Sequence, residues 1–265
     1  MSDLFVHEHG NLSGPAVLAV HGVSAHGRRF VPMAATAFPN ARVIAPDLRG
    51  HGRSPAGTPA TIERHVADLL AILNERHVES AVVVGHSFGA CLGLNLLASA
   101  PDRVRSVVLL DPAMDQLPEF VSALSDGMIA SDIAYPTFDA LVEAKRAGRA
   151  PTAVPHSDAD VALAAAHGPE GWRTAWDHDV VRQAWIEMSR PMPQLAVARP
   201  TLLLDATQAG FVTERQRADL AKELGPDLTV EQFDVGHMLF WEDFDGVCAS
   251  VRSFLLGHTP DVVRP

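Results

Sequence analysis

The sequence predicts an α/β protein with a mostly parallel central sheet, helices on both faces, and an inserted helical cap. Three observations predict it. Apolar runs such as Ala16–Val20 and Val104–Leu110 lack alternation, as strands buried on both faces do. These runs alternate with helical patterns at the spacing of β–α–β units. The rhythm then stops between Pro112 and Arg199, where prolines at 136, 151, 155, 169, 191 and 193 punctuate helical patterns, and resumes after it. A chain of 265 residues, 47% of them apolar, is ample for one large core. The expected organisation is a core of residues 1–111 and 199–265, with a cap of residues 112–198 inserted in a single domain.

Taken in order, Leu4 to His9 reads as a first strand ending at Gly10, with a turn at Gly14-Pro15. The buried run Ala16–Val20 leads into His21-Gly22-Val23-Ser24. A helical pattern through Phe30, Met33 and Ala37 is broken at Pro39-Asn40, and Arg42–Ala45 is the next strand. It enters the loop Pro46 to Ser54, whose glycines lack the spacing of a phosphate-binding loop and read as bracing. Thr61 caps a helix that turns Val66, Leu69, Leu70 and Leu73 inward and Arg64, His65, Asp68 and Glu75 toward water. Val82–Val84 is a strand that drives into Gly85, followed by a small-residue helix; Val104–Leu110 ends at Asp111-Pro112. The cap reads as helices from Phe120, over Phe138 to Ala147, Asp158 to Ala166, and Trp172 to Met188, without a strand. Strands at Thr201–Leu204 and Leu228–Phe233 and helices at Thr213–Leu224 and Val247–Leu256 complete the chain.

Composition excludes several classes. A net charge of −11 with no basic run argues against nucleic acid or an anionic membrane surface as partner. The N-terminus lacks the basic and apolar regions of a signal peptide, and no apolar run approaches a membrane span. The two cysteines, Cys91 and Cys248, fall in expected core helices rather than a disulfide framework, which fits a cytoplasmic setting. Thirteen histidines raise the question of a metal, but His7-Glu8-His9 lacks the i, i+4 spacing of a zinc helix and the rest are dispersed. They read as surface or turn residues. No metal and no organic cofactor is expected.

The chemistry is announced by Gly85-His86-Ser87-Phe88-Gly89. A strand turning this sharply into a helix strains its middle residue and lifts that side chain off the sheet. The same pentapeptide would also serve a plain strand–helix turn, so its partners decide. A serine nucleophile needs a base in hydrogen-bond reach, a group orienting the base, and two N–H donors for the oxyanion. His237, after a strand and Gly236, lies at the carboxyl edge of the sheet where Ser87 must also emerge.

His21-Gly22, Asp47 to Ser54, Gly85 to Gly89 and Gly236-His237 stand in the order and spacing of the α/β-hydrolase fold, which this chain resembles over nearly all its length outside the cap. With Leu109-Leu110-Asp111-Pro112-Ala113 and Gly236-His237-Met238 it is most similar to actinobacterial lipases and esterases. These motifs are specific for the fold and poorly specific for substrate. The family usually carries its acid after the strand that follows the cap. There this chain reads Leu202-Leu203-Leu204-Asp205-Ala206-Thr207-Gln208-Ala209, with Ala209 in the acid's place. Some members, such as haloalkane dehalogenases, instead carry it after the strand that follows the nucleophile helix. Asp111 matches that place, and Asp205 is its rival. By the same resemblance the oxyanion donors are the N–H groups of Phe88 and Val23.

Substrate contacts are expected from Ser24, His86 and Met238 beside these groups, and from the cap residues Trp172, Trp176 and Trp185, spaced as on a helix together with Met188. The expected function is hydrolysis of a carboxylic ester with an apolar acyl or aromatic group, by a monomer or homodimer. A lactonase or carbon–carbon bond hydrolase would use the same triad. A hydrolase-fold ligand receptor would keep the site with little turnover.

Overall fold

The structure, a computed structural model, describes residues 3–265. Its strands and helices follow in the order β1 (Val6–Gly10), β2 (Ala16–Val20), α1 (Val31–Ala37), β3 (Arg42–Pro46), α2 (Ile62–Glu75), β4 (Ala81–His86), α3 (Phe88–Ser99) and β5 (Val104–Leu110). Next come α4 (Pro118–Ala130), α5 (Phe138–Arg146), α6 (Val154–Ala164), β6 (Ala165–Gly168), β7 (Gly171–Thr174) and α7 (His178–Glu187). The chain closes with β8 (Thr201–Ala206), α8 (Glu214–Leu224), β9 (Leu228–Phe233), α9 (Leu239–Glu242) and α10 (Phe244–His258).

Seven strands form one sheet in the order β1-β3-β2-β4-β5-β8-β9. All neighbours pair in parallel except β1, which lies antiparallel on β3. Chain order reverses on either side of β2, so the carboxyl ends of the central strands open a crevice where loops converge. Strands β2, β4 and β8 are buried at every residue, which is why their sequences are dominated by consecutive apolar residues (Ala16–Val20, Ala81–Val84, Leu202–Leu204) rather than alternating ones. One face packs Leu18, Val83, Leu109 and Leu203 under α2, α3 and α8; the other packs Val17, Val82, Val108 and Leu202 under α1 and α10. Burying each such aliphatic side chain contributes about 1.5–3 kcal/mol. Among the described residues no helix is long and apolar enough to cross a membrane.

Three expectations are corrected here. Thr61 does cap α2, accepting from the Arg64 N–H, but His65 and Asp68 are buried rather than facing water. Asp68 is paired bidentately with Arg49 from the loop after β3, at 2.8–3.1 Å, and His65 sits edge-on to Phe88. A carboxylate taken from water needs such a partner, and a loop distant in sequence supplies it. Nor are the histidines confined to surface and turns: His21, His26, His51, His65 and His86 are all buried.

Thirdly, the segment between β5 and β8 is not wholly helical. Ala165–Gly168 and Gly171–Thr174 pair as an antiparallel hairpin around Pro169-Glu170. Trp172 therefore lies on a strand and Trp176 on the loop after it, so the tryptophans share no helical face.

Candidate active site

Ser87 stands between β4 and α3 with φ 56° and ψ −119°. A non-glycine residue at positive φ is strained, and here three elements hold it. Its N–H donates to the Leu110 carbonyl at 3.0 Å, and its own carbonyl caps the first turn of α3. Gly85 and Gly89 let the backbones pass: a Cβ on Gly85 would collide with the Gly89 carbonyl, and one on Gly89 with those of Val20 and His21. Of the five described non-glycine residues at positive φ, three gather here: Ser24, Ser87 and Asp111. Each costs on the order of 1–3 kcal/mol, a cost that surrounding structure must offset.

Asp111 follows β5 at φ 43° and is fully buried. Its N–H donates to Leu204, its Oδ1 accepts from the Ala206 N–H at 3.2 Å, and its Oδ2 accepts from His237 Nδ1 at 2.5 Å. Burial raises its pKa above the ordinary carboxyl value, against the opposing pull of the His237 hydrogen bond and charge. Asp205 turns elsewhere: its Oδ2 accepts from Arg217 at 2.6 Å and Gln232 at 2.9 Å. Of the two rival acids, only Asp111 reaches the His237 ring.

The loop after β2 runs close over Ser87, where a Cβ on Gly22 would approach the Ser87 Cβ to 2.9 Å. Two buried histidines brace it. His21 Nδ1 donates to the Gly22 carbonyl at 2.7 Å while its Nε2 accepts from the Leu48 N–H at 2.8 Å. His51 Nδ1 donates to the Arg49 carbonyl at 2.9 Å while its Nε2 accepts from the Ser24 N–H at 3.0 Å. Each ring faces one donor and one acceptor, so each is held neutral, with the proton on Nδ1 fixed by the carbonyl. Burial pushes His51 down to about 4 and His21 well below its ordinary value, the latter also through the nearby His51. The Ser24 amide is thereby committed, leaving Val23 at the turn. Phe88 opens α3, where first-turn amides have no intrahelical acceptor. His86 donates from Nε2 to the His237 carbonyl at 3.0 Å, tying the His237 loop to the strand that leads into Ser87.

Ser87 and His237 line one cavity of about 260 Å³ with Gly22, Val23, Ser24, His86, Trp185 and Met238. Trp176 lies farther out, lining the adjoining mouth with Ser24, and its Nε1 donates to Thr174 Oγ1. Trp172 is not brought to the site at all. It packs edge-on against Phe138 and His167 inside the segment between β5 and β8, because a strand position turns it into that small core. The sequence reading missed Arg29, Leu124, Met128, Arg149, Phe211 and Trp241, which complete the cavity wall. Phe211 stacks 4.2 Å from the His237 ring, and its place just after Gly210, in the loop that follows β8, is a usable sequence signal. Asp47, read as bracing, behaves so: it accepts from the N–H groups of Gly27 and Arg53 and from His7.

Sheet order, strained serine and buried Asp–His pair together define the class, an α/β hydrolase. A family model described as the alpha/beta hydrolase fold matches residues 15–244, and the chain belongs to that family. It is 37% identical over 259 residues to Lipase LipV of Mycobacterium tuberculosis, covering 96% of this chain and 98% of that protein. It is 28% identical over 265 residues to the magnesium-chelatase 30 kDa subunit of Rhodobacter capsulatus, covering 96% and 92%. Among solved structures, E-2-(acetamidomethylene)succinate hydrolase superposes with a TM-score of 0.82 at 25% identity, covering 95% and 94% of the two chains.

Proposed function

We propose that this chain hydrolyses carboxylic esters through an acyl-enzyme on Ser87. Ser87 Oγ attacks the ester carbonyl as His237 Nε2 takes its proton. The N–H groups of Val23 and Phe88 receive the oxyanion. His237 returns the proton to the leaving alcohol, and water admitted to the emptied site releases the acid by the same route in reverse. Asp111 keeps the His237 proton on Nδ1, so that Nε2 faces the serine, and its negative charge stabilises the imidazolium.

The observation that carries this reading is the contact at 2.5 Å between buried Asp111 and His237, which lines one cavity together with Ser87 at its strained turn. The lipase named among the relatives supports an ester as the scissile group. Walls of Leu124, Met128, Trp185, Phe211 and Met238 suit an apolar or aromatic arm. A receptor role is the second reading, in which the same cavity holds a ligand with little turnover. The test is a series of 4-nitrophenyl esters of increasing acyl length, run with the native chain and Ser87→Ala. Repeated turnover that falls by about 10³-fold or more in Ser87→Ala is expected. Turnover that survives this substitution sinks the reading, and a single slow turnover per chain moves it to the receptor.

A further inference from the structure

The chain carries a net charge of −11, yet the cavity around Ser87 is lined by Arg29 and Arg149 and by no carboxylate. The mouth that continues from it through Ser24, Leu124, Met128 and Arg149 adds Lys145, again with no carboxylate. Asp160 behind the wall neutralises Arg29, so Arg149 and Lys145 are the positive excess here, in a protein with more acidic than basic residues. Low-dielectric walls concentrate the resulting field at the mouth.

The two arginines differ in what they can still bind. Arg29 is already satisfied, with Nε and Nη2 on the two oxygens of Asp160 at 2.8 and 2.6 Å. Arg149 uses only Nε, which donates to the Lys145 carbonyl at 2.8 Å. Six arginines lie between β5 and β8, and five of them hold carboxylates: Arg146 with Asp158, Arg173 with Glu170, Arg182 with Asp126, Arg190 with Glu63 and Glu187, and Arg199 with Asp102. Among the described residues Arg149 is the exception, with no ion pair. It is also the one of the six that lines the Ser87 cavity.

Arg149 is held in place rather than loose. Its guanidinium lies 4.8 Å from the Trp241 ring centroid, and Arg29 lies 5.0 Å from the same centroid. Burial and the Arg29 charge weaken its hold on its proton, opposed in part by the charges of Asp160 and Glu242, and a bound anion would add to that relief. The two terminal nitrogens left over are the fork that receives a carboxylate through paired hydrogen bonds.

We propose that the substrate is a carboxylate-bearing ester whose anionic end docks on the Arg149 guanidinium while its apolar body lies against Leu124, Met128 and Phe211. This rests on the ester-hydrolase reading and narrows it to half-esters and similar acids. Water adds across the ester bond, giving an alcohol and an acid, and the docked carboxylate is unchanged.

Two matched pairs test it on either side of the ester: 4-nitrophenyl hydrogen adipate against 4-nitrophenyl hexanoate, and 4-carboxyphenyl hexanoate against phenyl hexanoate. The native chain should favour the anionic member of at least one pair in kcat/KM. Arg149→Gln should reduce that preference by roughly 30-fold, as loss of a charged hydrogen-bonded contact does, and Arg149→Lys by less. A merely structural Arg149 would lower both members together and leave their ratio alone. A readout without turnover separates the two proposals: calorimetric binding of monomethyl adipate to the Ser87→Ala chain, with and without Arg149→Gln. Arg149-dependent binding with no ester turned over would overturn the ester-hydrolase reading and keep the anion site. A flat ratio in both pairs with no Arg149-dependent binding would overturn the anion site.

Discussion

Asp111→Asn should lower kcat for ester hydrolysis by about 10⁴-fold, the scale seen when the orienting acid of a serine triad is made neutral. An asparagine can still accept the Ala206 N–H through its carbonyl oxygen, so the fold around it should survive. What it loses is the anion facing His237 Nδ1, and with it the tautomer that aims Nε2 at Ser87. Asp205→Asn offers the contrast. Asp205 is buried against Arg217 and Gln232, so its neutral variant should lose stability and keep kcat within a few-fold. Steady-state kinetics and urea midpoints on both variants separate rate from stability. The opposite ranking in kcat would return the acid to Asp205.

Lowering the pH from 7 to 5 should cost the fold most of its stability. His51 and His65 are pushed by burial to about 4 and about 3, from an ordinary value of 6.5. His21 and His86 are pushed well below it, again chiefly by burial. Between those values the unfolded chain binds protons that the folded chain refuses. The stability these groups contribute is therefore fully present above pH 6.5 and is lost as pH falls toward 4. His51 and His65 alone should account for about 4 kcal/mol between pH 7 and 5, against a net stability of about 5–15 kcal/mol for a typical domain. Asp111, whose pKa is raised by burial, opposes this as one group against four. The carboxylates of Asp47 and Asp160 are buried, which alone would raise them. Hydrogen bonds from His7 to the first and the Arg29 charge beside the second hold both below the ordinary carboxyl value, so their contribution is lost only in stronger acid. Urea midpoints at pH 7 and 5 measure the loss, and equal midpoints would mean that the histidines are not held neutral.

The strands and the serine turn were legible in sequence because each leaves a local mark. Ala16–Val20 and Val107–Leu110 are unbroken apolar runs, and Gly85 is required by the Gly89 backbone within the turn, Gly89 by the backbone of Val20 and His21 beside it. Asp111 and Asp205 both stand at strand ends, and the family resemblance, not that position, singled out Asp111, the one of the two that contacts His237. His65 and Asp68 misled because they occupy polar positions on an amphipathic helix, while their partners Phe88 and Arg49 come from other parts of the chain. The hairpin of β6 and β7 was hidden because its first strand, Ala165-Ala166-His167-Gly168, continues the alanine-rich pattern of α6. Trp172 was placed wrongly for the same reason. Arg149 and Trp241 meet only when a loop between β5 and β8 folds over α9, and no spacing in the sequence announces that meeting.

The most direct test of the central claim is labelling with a fluorophosphonate, which phosphonylates a serine only where a base and an oxyanion site activate it. Intact-mass and peptide measurements should show one adduct per chain, on Ser87, with ester hydrolysis lost in proportion. The label should disappear in His237→Ala as well as in Ser87→Ala. An adduct on another residue, or undiminished ester hydrolysis by a chain fully labelled at Ser87, would contradict the account.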